Sequence, residues 1–137
     1  MDWTPTELAR RHLIEQGVAA VGTYEADHAL RAWARAAGLL VRVDRYSIWG
    51  NRRRMRDRTD PVERDAVCDW YATVYLPSRP DLLARVGELR GRLLVCHCHP
   101  ARCHGHHLAA LANAAPVPIM DTGWRSPPMA REGAVQR

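Results

Sequence analysis

The chain has 137 residues, 47% of them hydrophobic, and no stretch near the ~18 consecutive apolar residues of a membrane span. This points to one globular domain with a real core and argues against a membrane protein. The formal net charge is +5, but every basic residue other than histidine is arginine, so general basicity reflects composition and is weak ground for a nucleic-acid partner. The first residues, Met1-Asp-Trp-Thr-Pro-Thr-Glu7, lack the basic start and apolar run of a secretory signal. A reducing cytoplasm is therefore expected, where clustered cysteines favour metal or thiol chemistry over disulfides.

Thr4-Pro5-Thr6-Glu7 predicts a helix start, with Thr4 as N-cap, Pro5 in the first turn and Glu7 completing a capping box. Gly17 is placed to stop that helix. Val18 to Val21 reads equally as a strand or a connector. Glu25 to Ala37 carries the helical stripe Leu30, Trp33, Ala34, Ala37, closed by Gly38. Leu39 to Val43 follows as a strand, and residues 44–60 as a loop. Asp60-Pro61 opens a second helix with Val62, Ala66, Val67, Trp70 and Val74 on one side, ended by Pro77. Cys68, Trp33 and Trp70 read as packing residues. Asp81 to Leu89 is a third helix, Arg92 to Cys98 a strand, and Cys103 to Ala114 a helix. Pro116 to Ile119 reads as a short extended piece. The organisation expected is an N-terminal helix and connector over 1–24, an α/β domain over 25–119, and a tail over 120–137.

Three of the four cysteines and five of the seven histidines fall within Val95-Cys-His-Cys-His-Pro-Ala-Arg-Cys-His-Gly-His-His107. Soft ligands and imidazoles gathered between a strand and a helix mark the place for chemistry. Strands alternating with helices favour a parallel sheet, and such sheets bind ligands beyond the carboxyl ends of their strands. If the strands ending at Val43 and Cys98 pair, their loops lie side by side. That brings Trp49-Gly50-Asn51 to the Cys/His cluster.

Two chemistries fit the cluster. In one, Cys103 at a helix N-terminus has amides and the helix dipole aimed at its sulfur, His104 exchanges a proton, and Arg102 adds positive potential. The same amides suit a phosphate. In the other, Cys96, Cys98, Cys103 and either His104 or His107 ligate zinc, although Cys-x-Cys is not the usual zinc spacing. A plain packing role for the cysteines stands beside both. The loop interleaves Arg45, Arg52, Arg53, Arg54, Arg56 and Arg58 with Tyr46 and Trp49, which suits phosphate binding or base stacking, or simply a solvated loop. Gly50 is expected to permit positive φ, and Asn51 to hydrogen-bond backbone or ligand.

Val43-Asp-Arg-Tyr-Ser-Ile-Trp-Gly-Asn51, Asp65-Ala-Val-Cys-Asp-Trp-Tyr71 and Leu89-Arg-Gly-Arg-Leu-Leu-Val-Cys-His-Cys-His-Pro-Ala-Arg-Cys-His104 resemble domain of unknown function 4326 over about residues 37–113. A more distant resemblance is to domain of unknown function 488, with a late Cys-His at a helix start in a Rossmann-like fold. The resemblance implies a phage or mobile-element setting and a site position, without a reaction. The family's Gly-Asn-Pro is Gly50-Asn51-Arg52 here, its Cys-Trp-Cys is Cys96-His97-Cys98, and its acid after Cys-His-Gly is His106. That last change removes a candidate general base.

The reading is a small three-layer, Rossmann-like α/β domain with a short, mostly parallel sheet flanked by helices. It binds or modifies a nucleotide-like or other phosphate-bearing ligand. Cys103 serves as nucleophile or phosphate cradle, His104 as acid/base and Asn51 as orienter; Arg45, Trp49, Gly50, Cys98 and Arg102 bind the ligand. The alternatives are a zinc-stabilised nucleic-acid module using loop 45–58 and a non-catalytic interaction protein.

Overall fold

Thr4 starts the first helix as its sequence predicts. In the computed structural model, which describes residues 2–98 and 101–115, α1 spans Pro5–Glu15. The Thr4 hydroxyl accepts from the Glu7 amide at 3.2 Å, and Glu7 Oε1 accepts from the Thr4 amide at 3.0 Å. Glu7 also caps the next helix. Its Oε2 accepts from the Leu30 amide at 2.9 Å, in the first turn of α2 (His28–Ala36). Burial works to raise the Glu7 carboxyl pKa, but the hydrogen bonds from Leu30 and Thr4 hold it below the ordinary carboxylate range. The α2 helix begins later than the expected Glu25. Its N-cap, Asp27, sits at φ 59°, a left-handed conformation that cannot belong to a continuous helix. An ion pair with Arg10 at 2.6 Å holds Asp27 there.

The ambiguous segment near Val18 resolves as strand β1, Ala20–Thr23. With β2 (Leu40–Arg42) and β3 (Leu93–Cys96) it forms a three-stranded parallel sheet in the order β1-β3-β2. The register sets Val21 and Val41 opposite Leu94. Side chains alternate across this sheet. Leu93 and Val95 join Ala20, Ile14, Leu30 and Ala34 on the α1/α2 face. Leu94 and Cys96 join Val21, Val43, Tyr71 and Leu108 on the other. Burial on both faces explains why β3 reads as an unbroken apolar run, and gives the three layers expected.

Asp60 caps α3 (Pro61–Trp70) by accepting from the Val62 and Glu63 amides. The chain then widens into a π-helical turn, Tyr71–Tyr75, and tightens into a 3₁₀ turn, Leu76–Ser78, that contains Pro77. The buried face of this stretch differs from the expected one. Val67 is buried as expected, but Val62 and Val74 are 77% and 54% exposed, and Cys68, Tyr71 and Leu76 are buried with Val67 instead. The true stripe begins with Arg64, which apolar periodicity does not count, and the π turn advances the register past Val74. The third helix is shorter than expected: α4 covers Pro80–Arg85, followed by a 3₁₀ turn at Val86–Leu89. Strand β3 stops at Cys96, two residues before its predicted end, and α5 spans His104–Ala114. The extended piece at 116–119 and the tail over 120–137 lie outside the described residues. No helix among those described is long and apolar enough to cross a membrane.

Candidate functional site

Because β2 and β3 are hydrogen-bonded neighbours, the loops after their carboxyl ends face one another. Between them and α3 lies a cleft of about 530 Å³. The long loop supplies Asp44, Arg45, Tyr46, Asn51, Arg53, Arg54, Met55 and Arg58. The third helix supplies Arg64, Val67 and Cys68, and the β3–α5 segment supplies Cys96, His97, Cys98, Arg102, Cys103 and His104. The expected meeting of the two segments takes place. Trp49, Gly50 and His107 are not part of the wall.

The sulfurs form the floor. Cys96 Sγ lies 3.0 Å from Cys103 Sγ, and the Cys98 amide donates to Cys96 Sγ at 3.5 Å. Cys103 is the N-cap of α5, and its sulfur accepts from the Gly105 and His106 amides. A Cβ at position 105 would stand 3.2 Å from that sulfur, so Gly105 leaves the room it needs. The three thiols divide their protons unequally. The hydrogen bond from Cys96 lowers the Cys103 thiol pKa; burial opposes this and the two helix amides assist it. Its partner Cys96 is pushed up to about 11, first by the same bond. Cys98 is raised, first by its hydrogen bond with Cys96 and then by burial, against the Arg64 guanidinium. Cys103 is thus the most acidic thiol of the three.

The family model described as domain of unknown function (DUF4326) matches residues 29–114, more than half of the chain. The chain belongs to the DUF4326 family. Comparison with curated proteins and with solved structures gives no match.

Within the DUF4326 stretch, the histidines behave differently from expectation. His104 is 8% exposed, and its Nε2 bonds to the Val43 carbonyl. A carbonyl only accepts, so Nε2 carries the hydrogen. Burial lowers the His104 pKa, which favours the neutral ring, and the ring packs 4.8 Å from that of Tyr71. His104 therefore ties the end of β2 to α5, with its Nε2 engaged by the Val43 carbonyl. His106 replaces the acid anticipated at its position in one respect. Its Nδ1 accepts from the Cys103 amide at 3.1 Å, which completes a capping box. The amides expected to cradle a phosphate are accordingly satisfied by Cys103 and His106. His107 is half-buried, with its pKa lowered by burial. Among the described residues no group of three or more His, Cys, Asp or Glu side chains could hold a metal ion, so Cys96, Cys98, Cys103, His104 and His107 do not assemble as the anticipated zinc set.

The DUF4326 loop likewise reassigns its residues. Trp49 is 4% exposed and belongs to the core, and its carbonyl accepts from the Tyr71 hydroxyl at 2.8 Å. It cannot stack on a ligand. Gly50 does not adopt positive φ. A Cβ there would fall 2.5 Å from Arg45 Cα and 2.6 Å from the Asp44 carbonyl oxygen, so close backbone approach demands glycine. Asn51 faces the cleft, but its amide donates to the Val67 carbonyl at 3.1 Å and its oxygen accepts from the Arg53 amide at 3.0 Å. It anchors the loop to α3, with one amide hydrogen and one oxygen lone pair remaining.

Charge in the cleft is sorted by ion pairing. Arg102 reaches Asp65 at 3.1 Å and Asp69 at 2.7 Å, which neutralises the anion binder expected there. The buried carboxylate, Asp44, pairs with Arg42 at 2.7 Å and lies 3.4 Å from His97 Nε2. Arg45, Arg53, Arg54, Arg58 and Arg64 form no ion pair with any described residue. Arg58 and Arg64 are oriented through main-chain oxygens: Arg58 Nη2 donates to the His97 carbonyl at 3.4 Å, and Arg64 donates to the Arg102 and Arg58 carbonyls at 3.2 and 2.6 Å.

Asp44, Arg64 and Cys68 were not read from the sequence as site residues. Asp44 directly follows the β2 apolar run, the position from which parallel sheets present ligand contacts. Arg64 and Cys68 are four apart on one helix face, a spacing available from the sequence.

Proposed function

We propose that this DUF4326 protein binds a small phosphate-bearing, nucleotide-like ligand in the cleft between loop 44–58, α3 and the Cys96–His104 segment. The observation that carries this reading is the gathering of five arginines in one cleft wall, none of them in an ion pair with a described residue. Arg102, in the same wall, is paired with Asp65 and Asp69, so the charge left for a ligand is that of the other five. Guanidinium groups held by main-chain oxygens keep their charge and forked donors for an anion. The volume of about 530 Å³ suits a mononucleotide or slightly larger molecule. The phosphate sits against the arginines, since the α5 amides are taken. Cys103 lies on the floor as the group able to attack an electrophilic centre of a bound ligand. A reducing cytoplasm, in the phage or mobile-element setting of similar sequences, suits its free thiols.

Calorimetric titration of the full chain with a nucleoside, its monophosphate, its diphosphate and ADP-ribose tests this. Affinity should rise with phosphate content and fall about tenfold in Arg54→Ala and Arg58→Ala, as for loss of a charge-assisted hydrogen bond. Equal affinity for the unphosphorylated nucleoside would refute it.

A second reading rests on Tyr46. It is 68% exposed, with the Arg42 and Arg45 guanidinium carbons 5.2 and 5.1 Å from its ring centre. Such a platform suits a base of single-stranded nucleic acid. Salt-dependent oligonucleotide binding that Tyr46→Ala abolishes would favour it; binding unchanged in Tyr46→Ala would remove it.

A further inference from the structure

The closest approach between two reactive side chains in the cleft is sulfur to sulfur. Cys96 Sγ and Cys103 Sγ stand 3.0 Å apart at the junction of β3 and α5. A disulfide bonds at about 2.05 Å, so closure needs only roughly 1 Å of movement. All four cysteines are free thiols, and all four line the same cleft. We infer that Cys96 and Cys103, on the floor of the cleft, are a peroxide-oxidised dithiol; the oxidation needs no bound ligand, and it consumes the Cys103 thiol.

The geometry assigns the two sulfurs different parts. Cys103 is the attacking sulfur: it caps α5 and accepts from the helix amides, which favours charge on sulfur. Gly105 leaves its sulfur uncrowded. Cys96, fixed as the last residue of the central strand, is the resolving thiol. The oxidant is hydrogen peroxide, small enough to reach sulfurs only 2% and 3% exposed at the cleft floor. Cys103 sulfur forms a bond to one peroxide oxygen as the O–O bond breaks. The departing hydroxide takes a proton and leaves as water, and Cys103 becomes a sulfenic acid. Cys96 sulfur then attacks the Cys103 sulfur. The S–O bond breaks, the hydroxyl leaves as a second water with the remaining thiol proton, and the disulfide forms. Two thiols lose two electrons and two protons in all, and one peroxide becomes two waters.

Cys98 and Cys68 are the competitors. Cys98 is half-buried beside Cys96, but bridging Cys96 to Cys98 would close a ring across a single intervening residue, a strained geometry. Cys68 is committed elsewhere, with its thiol directed at the Arg102 carbonyl at 3.7 Å.

The test treats the reduced full-length protein with equimolar hydrogen peroxide, blocks residual thiols, and maps the products by trypsin and mass spectrometry. Cleavage after Arg102 separates the two cysteines, so the bridge appears as two joined peptides. The expected result is an intramolecular Cys96–Cys103 link in wild type, in Cys68→Ser and in Cys98→Ser. In Cys96→Ser the reaction should stop at a sulfenic acid on Cys103 that dimedone traps. An intramolecular link that joins other cysteines, or four thiols left intact in wild type after peroxide, overturns the proposal without reliance on any variant's folding.

Discussion

Replacing Gly50 with alanine separates close approach from positive φ as the reason for that glycine. The added Cβ would meet Arg45 Cα at 2.5 Å, the Asp44 oxygen at 2.6 Å and the Arg45 carbonyl carbon at 3.0 Å. All three are backbone atoms, so no rotamer change relieves the contact. Ordinary contact begins at 3.4 Å, which requires about 1 Å of main-chain displacement. That shift pulls on a turn in which the Asp44 carbonyl already accepts from the Ser47 amide at 3.0 Å and hydroxyl at 2.9 Å. Overpacking of this kind costs about 2–3 kcal/mol, which lowers the melting temperature by roughly 8–12 °C for a chain of this size. Gly38 is the control. Its φ is +73° but nothing lies within 4 Å of its Cβ position, so Gly38→Ala costs only the left-handed penalty of about 1–2 kcal/mol. Urea and thermal unfolding followed by circular dichroism measure both. A Gly50→Ala protein within about 0.5 kcal/mol of wild type would refute the close-approach argument.

Tyr71→Phe removes a buried hydroxyl from the Trp49 carbonyl and should cost about 1–2 kcal/mol in urea unfolding; an unchanged midpoint would mean that bond is immaterial. Burial lowers the pKa of His104, His106 and His107, so below about pH 6.5 the unfolded chain binds protons that the native chain does not. Stability should therefore be complete above that pH and fall as pH drops through the window, with a lower urea midpoint near about pH 5.5 than near about pH 7.5. A rising midpoint on acidification would contradict the burial of these rings. Removing the Cys96 thiol takes away the largest influence depressing Cys103, so Cys96→Ala should raise the pH at which thiolate absorbance assigned to Cys103 appears. An unmoved titration would sever the two sulfurs.

The sequence made much of this arrangement readable. Thr4 and Glu7 wrote the first capping box, and the apolar runs at Leu39 and Leu93 gave two neighbouring strands whose loops meet. Other features were hidden for physical reasons. Asp27 looks like an ordinary helix N-cap, yet Arg10 from another helix fixes it in a left-handed conformation. Trp49 looks like a stacking residue in a polar loop, but Tyr71 and the core take it inward, which no local pattern encodes. Arg102 and Arg64 are indistinguishable by composition; only the placement of Asp65 and Asp69 neutralises the first and leaves the second available. The Cys96–Cys103 contact depends on the turn between β3 and α5, which no local sequence pattern encodes.

The central claim is that the cleft arginines outside any ion pair among the described residues hold the phosphate of a ligand. Arginine side-chain NMR during titration with pyrophosphate tests it most directly. Saturable shifts in the Nε–H signals of Arg45, Arg53, Arg54, Arg58 and Arg64, with those of the paired Arg79 and Arg85 unmoved, are the predicted result. Equal, unsaturated drift of every arginine signal would contradict it.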